Sequence, residues 1–205
     1  MRAEHLEILV EEPSMEAFLK ELLPRLIGDR ATFSIHVHQG KPDLLAKLEP
    51  RLRGYARWLP ETHRIVVIVD RDDTDCQKLK QGMEQAAANA GLRTRSVGGS
   101  APWRVVNRIA IEELEAWYFG EWNAVRRVYG KVPEAIPRQA AYRFPDAIEG
   151  GTWEALERIL QRAGYFSAGL PKVECARGVG MNIDPVASTS PSFIVFRDAV
   201  IEAVS

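Results

Sequence analysis

Carboxylates stand directly after two apolar runs of this chain. Glu11 and Glu12 follow the run at 6–10 (LEILV), and Asp70, Asp72, Asp73 and Asp75 follow the run at 64–69 (RIVVIV). A third acidic group, Glu112, Glu113 and Glu115, follows the run that ends at Ile111. Like charges crowded at one place repel, and desolvating them is costly. A hard divalent cation removes that repulsion: Mg2+ takes oxygen ligands, keeps several waters, and is held by one or two carboxylates plus substrate phosphate oxygens. Asp70 and Asp72 lie two apart, so in extended backbone their side chains share a face and turn toward one point. Glu11, on a neighbouring strand, would complete such a site or hold a second ion. A plainer reading stands beside this one, because Asp72-Asp73-Thr74-Asp75 ahead of a helix supplies N-cap and dipole partners with no metal at all.

The elements that must position these acids follow from hydrophobic periodicity. Residues 6–10 read as a strand. Glu12-Pro13-Ser14 then opens a helix with Met15, Phe18, Leu19, Leu22, Leu23 and Leu26 on one face. Residues 32–38 read as a second strand and 42–55 as a second helix. The β-branched run at 64–69 is what a strand covered on both faces looks like. A helix over 75–89, ended by Gly91, leads to two further strand candidates at 92–97 and 105–111, separated by the loop GGSAP. Strands alternating with helices imply right-handed crossovers and a mostly parallel, Rossmann-like sheet, in which ligands collect at the carboxyl ends of the strands. Beyond Ile111 the patterns turn helical, at 112–119, 121–128, 153–163 and 192–204. The expected organisation is an α/β core over 1–111 and a helical C-terminal part over 112–205 packed on it.

Composition narrows the function classes. The chain has 205 residues, 46% hydrophobic and 27% charged, with a formal net charge of -1. That balance provides no global attraction to nucleic acid, so any such binding must come from a local basic patch or bridging metal ions. A protein that simply coats DNA is excluded and an enzyme is not. Cys76 and Cys175 lie far apart and in no CxxC pattern, which fits a reducing compartment. The opening MRAEHLEILVEEP lacks the charge, apolar core and small-residue site of a secretion signal, and no apolar run reaches the roughly 18 residues of a membrane helix. A cytoplasmic location is expected.

A strand ending in Glu, a helix, then an apolar strand ending in Asp-x-Asp resembles the Toprim (topoisomerase–primase) domain, which also occurs in OLD-type (overcoming lysogenization defect) nucleases. The segments LVEEPSMEAFLKELLPRL, IVDRDDTDC, IAIEELEAWYFG, LPKVECARG and MNIDPVASTSPSFIVF resemble a family of small stand-alone bacterial Toprim-like proteins of uncharacterised function. The resemblance implies Glu11 as the Toprim glutamate and Asp70 and Asp72 as metal ligands. It also matches Glu16 and Glu115 to further acids, and Lys172 to a lysine-bearing stretch. Many relatives resemble VEG at the first motif. Here Glu12 stands in the glycine position, where glycine would let backbone approach a phosphate closely.

The implied activity is Mg2+-dependent (or Mn2+-dependent) phosphodiester cleavage of nucleic acid. Glu11 would serve as ligand or as general acid or base. Likeness to OLD-type systems adds an ATPase partner and a role in bacterial defence. Nothing marks Tyr118, Tyr129, Tyr142 or Tyr165 as a topoisomerase-like nucleophile, so hydrolysis is expected. The rival readings are a non-catalytic nucleotide- or nucleic-acid-binding module and an enzyme acting on a small phosphate ester.

Several other residues have two readings each. Glu112 and Glu115, three apart, would share a helix face as a second metal position or simply complement the helix dipole. Lys172 would neutralise charge on a phosphate, or is a solvated lysine at a helix start. His36 and His38 share one face of a strand but lack a third zinc ligand nearby, so edge-strand histidines are the preferred account. Arg93, Arg95, Arg104 and Arg108 around GGSAP would hold a polynucleotide backbone only if that loop sits beside the acids. Ser188-Thr189-Ser190-Pro191-Ser192 is expected to cap the last helix.

Overall fold

The apolar run near the start of the chain forms β1 (His5–Val10), flanked in the sheet by β2 (Thr32–Val37) and β3 (His63–Asp70). β4 (Val105–Ala110) pairs with the far side of β3, giving four parallel strands in the order β2-β1-β3-β4. The computed structural model describes residues 2–98 and 102–205. The architecture is the expected α/β, Rossmann-like one.

The two faces of the sheet explain why the 64–69 run is apolar throughout. Val66 and Ile68 enter one core cluster while Ile65, Val67 and Val69 enter the other, because successive side chains of a strand point to opposite faces. On the first face lies α1 (Pro13–Ile27), whose Phe18, Leu19, Leu22 and Leu23 are fully buried. The same cluster takes in side chains from α4 (Glu115–Gly120), α5 (Trp122–Val128), α6 (Thr152–Arg162), α7 (Lys172–Asn182) and α8 (Pro191–Ala203). The second face is covered by α2 (Lys41–Trp58) and α3 (Cys76–Asn89) through Leu44, Leu48, Leu52, Leu79 and Met83. Among the described residues no helix is long and apolar enough to cross a membrane. Both cysteines are free, Cys175 buried and Cys76 half-buried.

Two expectations are corrected. Residues 92–97 do not form a strand: Thr94 makes a single bridge to Val105, and the chain then tightens into a 3-10 turn (Arg95–Val97) closed by Gly98 at φ 67. Arg95 is drawn to Glu202 of α8 instead of extending the sheet. Glu112 is not in a helix either. It sits at φ 63 in the turn after β4, paired with Arg71, and α4 begins only at Glu115, so the shared helix face of Glu112 and Glu115 does not exist. Lys172 does start a helix, whose full extent over 172–182 is masked in the sequence by Gly178 and Gly180.

Those glycines have a packing reason. A Cβ on Gly180 would lie 2.7 Å from the carbonyl oxygen of Phe18, so α1 and α7 approach backbone to backbone there. Arg25 of α1 reinforces the contact by donating to the Gly180 and Ile183 carbonyls at the end of α7. We expect Gly180→Ala to destabilise the protein by about 1–3 kcal/mol, overpacking outweighing the gain in helix propensity. Exposed Gly82 in α3, with nothing within 4 Å of its would-be Cβ, is the control. Gly82→Ala should stabilise by up to about 1 kcal/mol. Urea melts of the two variants check both signs.

Candidate functional site

The register brings the first two acids together. Val10 of β1 is level with Ile68 of β3, so Glu11 leaves the end of its strand beside the last residues of β3. There the Asp70 backbone N–H donates to Glu11 Oε1 at 3.2 Å. Both side chains are sunk into the protein, Glu11 7% and Asp70 5% exposed. Glu11 Oε2 and Asp70 Oδ1 are buried and have no hydrogen-bond partner. Two carboxylates in this position cannot both ionise cheaply. Burial raises Glu11 to about 7, against the lowering effect of the Asp70 N–H and with Asp72 adding to the rise. Burial raises Asp70 well above the ordinary carboxylate range, and Glu11 and then Glu115 push it further. The metal-free pair therefore retains a proton near neutral pH.

Asp72 behaves differently from the expectation for extended backbone. The chain leaves the strand at Asp70, and Asp72 takes φ 45, which swings its carboxylate outward to the Lys41 ammonium at 2.6 Å. Lys41 also donates to the Arg71 carbonyl at 2.9 Å, tying the start of α2 to the loop after β3. The dipeptide spacing alone did not aim both aspartates at one point. Asp75 is the N-cap of α3, accepting from the backbone N–H groups of Gln77 and Lys78. That half of the plainer reading holds.

Glu115, at the first turn of α4, is 3% exposed, and burial raises it to about 8 despite the opposing charge of Lys172. The fully buried Tyr118 hydroxyl beside it lacks a hydrogen-bond partner, and burial first and Glu115 next push its pKa well up. Lys172 opens α7, its ammonium 4.4 Å from the centre of the Trp153 ring. Burial works to lower that ammonium, and the carboxylates of Glu115, Glu12, Glu113 and Asp70 reverse the effect, so its pKa ends raised. The neighbouring acids have other employment. Glu113 accepts from the Thr152 hydroxyl and Trp153 N–H at the start of α6, Glu16 pairs with Lys20 on the surface of α1, and Glu12 accepts from the Ser14 hydroxyl. Glu12 has φ -142 and ψ 160, extended backbone that any residue adopts, so no glycine is required in its place.

Around these groups opens a cleft of about 670 Å3 lined by Glu11, Glu12, Asp70, Asp72, Glu113, Lys172 and the Gly40–Lys41–Pro42 start of α2. It is larger than the clefts of about 250 Å3 beside Tyr142 and about 300 Å3 along β4. Lys41 was missed by sequence reasoning. Searching strand ends for cations as well as acids would have found it, since β2 ends at Val37 on the same edge of the sheet, just before His38-Gln39-Gly40-Lys41.

The remaining candidates are placed elsewhere. His36 is held to Glu7 and His38 to the Val10 carbonyl, on edge strand β2 and just beyond it, with no common ligand geometry. Arg104 precedes β4 at the edge of the sheet opposite Asp70 and donates to the Leu59 and Pro60 carbonyls. Arg95 is paired with Glu202. The arginines thus do not ring the acids, and Gly99, Ser100 and Ala101 of the GGSAP loop lie outside the described residues. Ser190 caps α8 by accepting from the Phe193 N–H, as its position in the sequence suggested. Trp117 is core, bonded to the Ser192 hydroxyl and packed on Phe193 and Phe196.

Among the described residues no three His, Cys, Asp or Glu side chains form a group that could by itself hold a metal ion. Glu11 and Asp70 nonetheless fit a cation that keeps its waters and needs only one or two carboxylates, because each presents a buried oxygen with no other partner.

Fold and site together define an α/β protein with a parallel sheet and an acidic cleft at its carboxyl edge. The chain belongs to a family of domains of unknown function, DUF4276, whose profile matches residues 10–201. No curated protein and no solved structure gives a significant match.

Proposed function

We propose that this chain is a Toprim-like, Mg2+-dependent phosphodiesterase that hydrolyses nucleic acid in the cytoplasm. The observation that carries the reading is the pair of buried carboxylate oxygens, Glu11 Oε2 and Asp70 Oδ1, which lack hydrogen-bond partners on side chains that leave adjacent strand ends. Ordinary proteins do not leave such atoms unsatisfied without a reason. Glu11 and Asp70 would hold the cation, with Asp72 and Glu115 adjoining. When bound, Mg2+ (or Mn2+) supplies polarisation of a phosphoryl oxygen and stabilisation of the attacking and leaving oxygens.

The chain's own groups supply the rest. Glu11, raised by burial to about 7 in the metal-free protein, gives up its proton when it takes the cation. Lys172 offers a positive charge on the wall of the cleft, where negative charge grows on a phosphate undergoing attack. Glu115, at about 8, is protonated in the metal-free protein and becomes an acceptor only when charge is brought to it. An association with an ATPase in bacterial defence accompanies this reading through the likeness to OLD-type nucleases alone.

One observation favours a second reading. Asp72 is engaged by Lys41, and a site held in that state would bind a nucleotide or nucleic-acid end without cutting it. Incubation of the protein with plasmid and with RNA, in Mg2+ or Mn2+ and in chelator, separates the two. The nuclease reading expects cation-dependent cleavage that chelator abolishes. Binding by gel shift with no cleavage under any cation would replace it with the binding module.

A further inference from the structure

Among the described residues Lys41 is the cation that pairs with a carboxylate lining the cleft, and its position is unusual for a solvated lysine. Its side chain is 12% exposed, and the ammonium is divided among Asp72 Oδ2 at 2.6 Å, the Arg71 carbonyl at 2.9 Å and the Thr74 hydroxyl at 3.5 Å. Asp72 is 51% exposed and takes φ 45 in the turn after β3. A non-glycine residue at positive φ persists where its surroundings hold it there. Backbone hydrogen bonds hold the turn, the Asp72 N–H donating to the Glu112 carbonyl at 2.9 Å, and the ion pair lines the same cleft as Glu11 and Asp70, each of which carries an unpartnered buried oxygen. Beside it begins α2, an 18-residue helix whose positive end also favours an anion.

We propose that Lys41 is the phosphate ligand of this cleft, and that its pair with Asp72 is a latch which a substrate phosphate opens. An incoming phosphate oxygen takes the place of Asp72 on the Lys41 ammonium, and the released Asp72 carboxylate turns back toward Asp70. Cation and phosphate then favour one another: the anion frees a cation ligand, and the cation relieves the acids that repel the anion. By linkage each tightens the other equally. The ligand class is a phosphate mono- or diester, as on a nucleotide. This inference rests on the metal-dependent reading of the same cleft.

The test uses Mn2+, followed by loss of the free-ion paramagnetic resonance signal, and thymidine 5′-monophosphate as the anion. In the wild type the nucleotide should tighten Mn2+ by at least about fivefold, the lower end of ordinary coupling. Lys41→Met should bind Mn2+ alone about two- to fivefold more tightly, as expected for removing a competing exposed ion pair. It should also lose the tightening by nucleotide. Lys41→Arg should keep it. In metal-free buffer Asp72→Asn, which takes the opposing charge from Lys41, should bind the nucleotide more tightly than wild type.

A Lys41→Met protein that retains the coupling overturns the proposal, and so does an Asp72→Asn protein with unaltered metal-free nucleotide affinity. Wild type that binds no Mn2+ under any condition would instead fail the underlying metal reading. The metal-free Asp72→Asn comparison would still decide the role of Lys41.

Discussion

Asp70→Asn is expected to make the metal-free protein more stable and to remove the proposed cleavage activity. Asparagine keeps the shape of the side chain, removes the ionisable group, and brings an N–H that can donate to the unpartnered Glu11 Oε2. In wild type at pH 8 the native state must either carry adjacent buried charges or hold protons that the unfolded chain would release. The amide avoids both, so the melting midpoint in chelator should rise at pH 8. Cleavage should fall by about a thousandfold, the order lost when an electrostatic stabiliser is taken from a preorganised site. Thermal melts in chelator and turnover on plasmid report the two halves separately. A variant less stable than wild type would mean that Asp70 is structural. Full activity would remove it from the site.

The second large effect is a loss of metal-free stability as pH rises. Burial raises Glu11 to about 7 and Glu115 to about 8 from an ordinary value of 4.5, and Asp70 moves in the same direction. An acid that holds its proton more tightly in the native chain contributes fully below its unfolded value. That contribution declines as pH climbs, until the folded value is passed. The decline should therefore run from about pH 4.5 to about pH 8, on the order of 3–5 kcal/mol for Glu115 alone. Glu202 has the opposite sign. The Arg95 hydrogen bond holds it low, so its contribution disappears only as pH falls below its unfolded value. The metal-free stability maximum should accordingly lie near pH 5. Denaturant midpoints measured from pH 5 to pH 8.5 should slope downward, Glu115→Gln should flatten the slope, and millimolar Mn2+ should recover much of the loss by mass action. A level profile in wild type would contradict the buried, uncompensated acids.

The parts of this arrangement that were readable in the sequence are those with strong periodicity. The β3 run could only be a doubly covered strand, and the leucine stripe of α1 could only face a sheet, so the order of strands and helices through β3 and the place of Glu11 and Asp70 at one edge followed. Other features were set by tertiary contacts that leave no local pattern. Gly178 and Gly180 hid α7 because their value lies in letting another helix approach, not in helix propensity. Residues 92–97 looked like a strand, but Arg95 found Glu202 and Gly98 turned the chain away. The Asp70-x-Asp72 spacing assumed extended backbone, and the strand had already ended. A single lysine after a strand, such as Lys41, has no motif to announce it. Its meaning depends on which strand ends lie next to each other in the sheet.

The central claim is that Glu11 and Asp70 share a divalent cation, and crystals soaked in Mn2+ test it directly. The account predicts an anomalous difference peak between the two carboxylates, absent from Asp70→Asn crystals treated alike. Empty density there in the wild type, with a melting temperature that Mn2+ does not move, would contradict it.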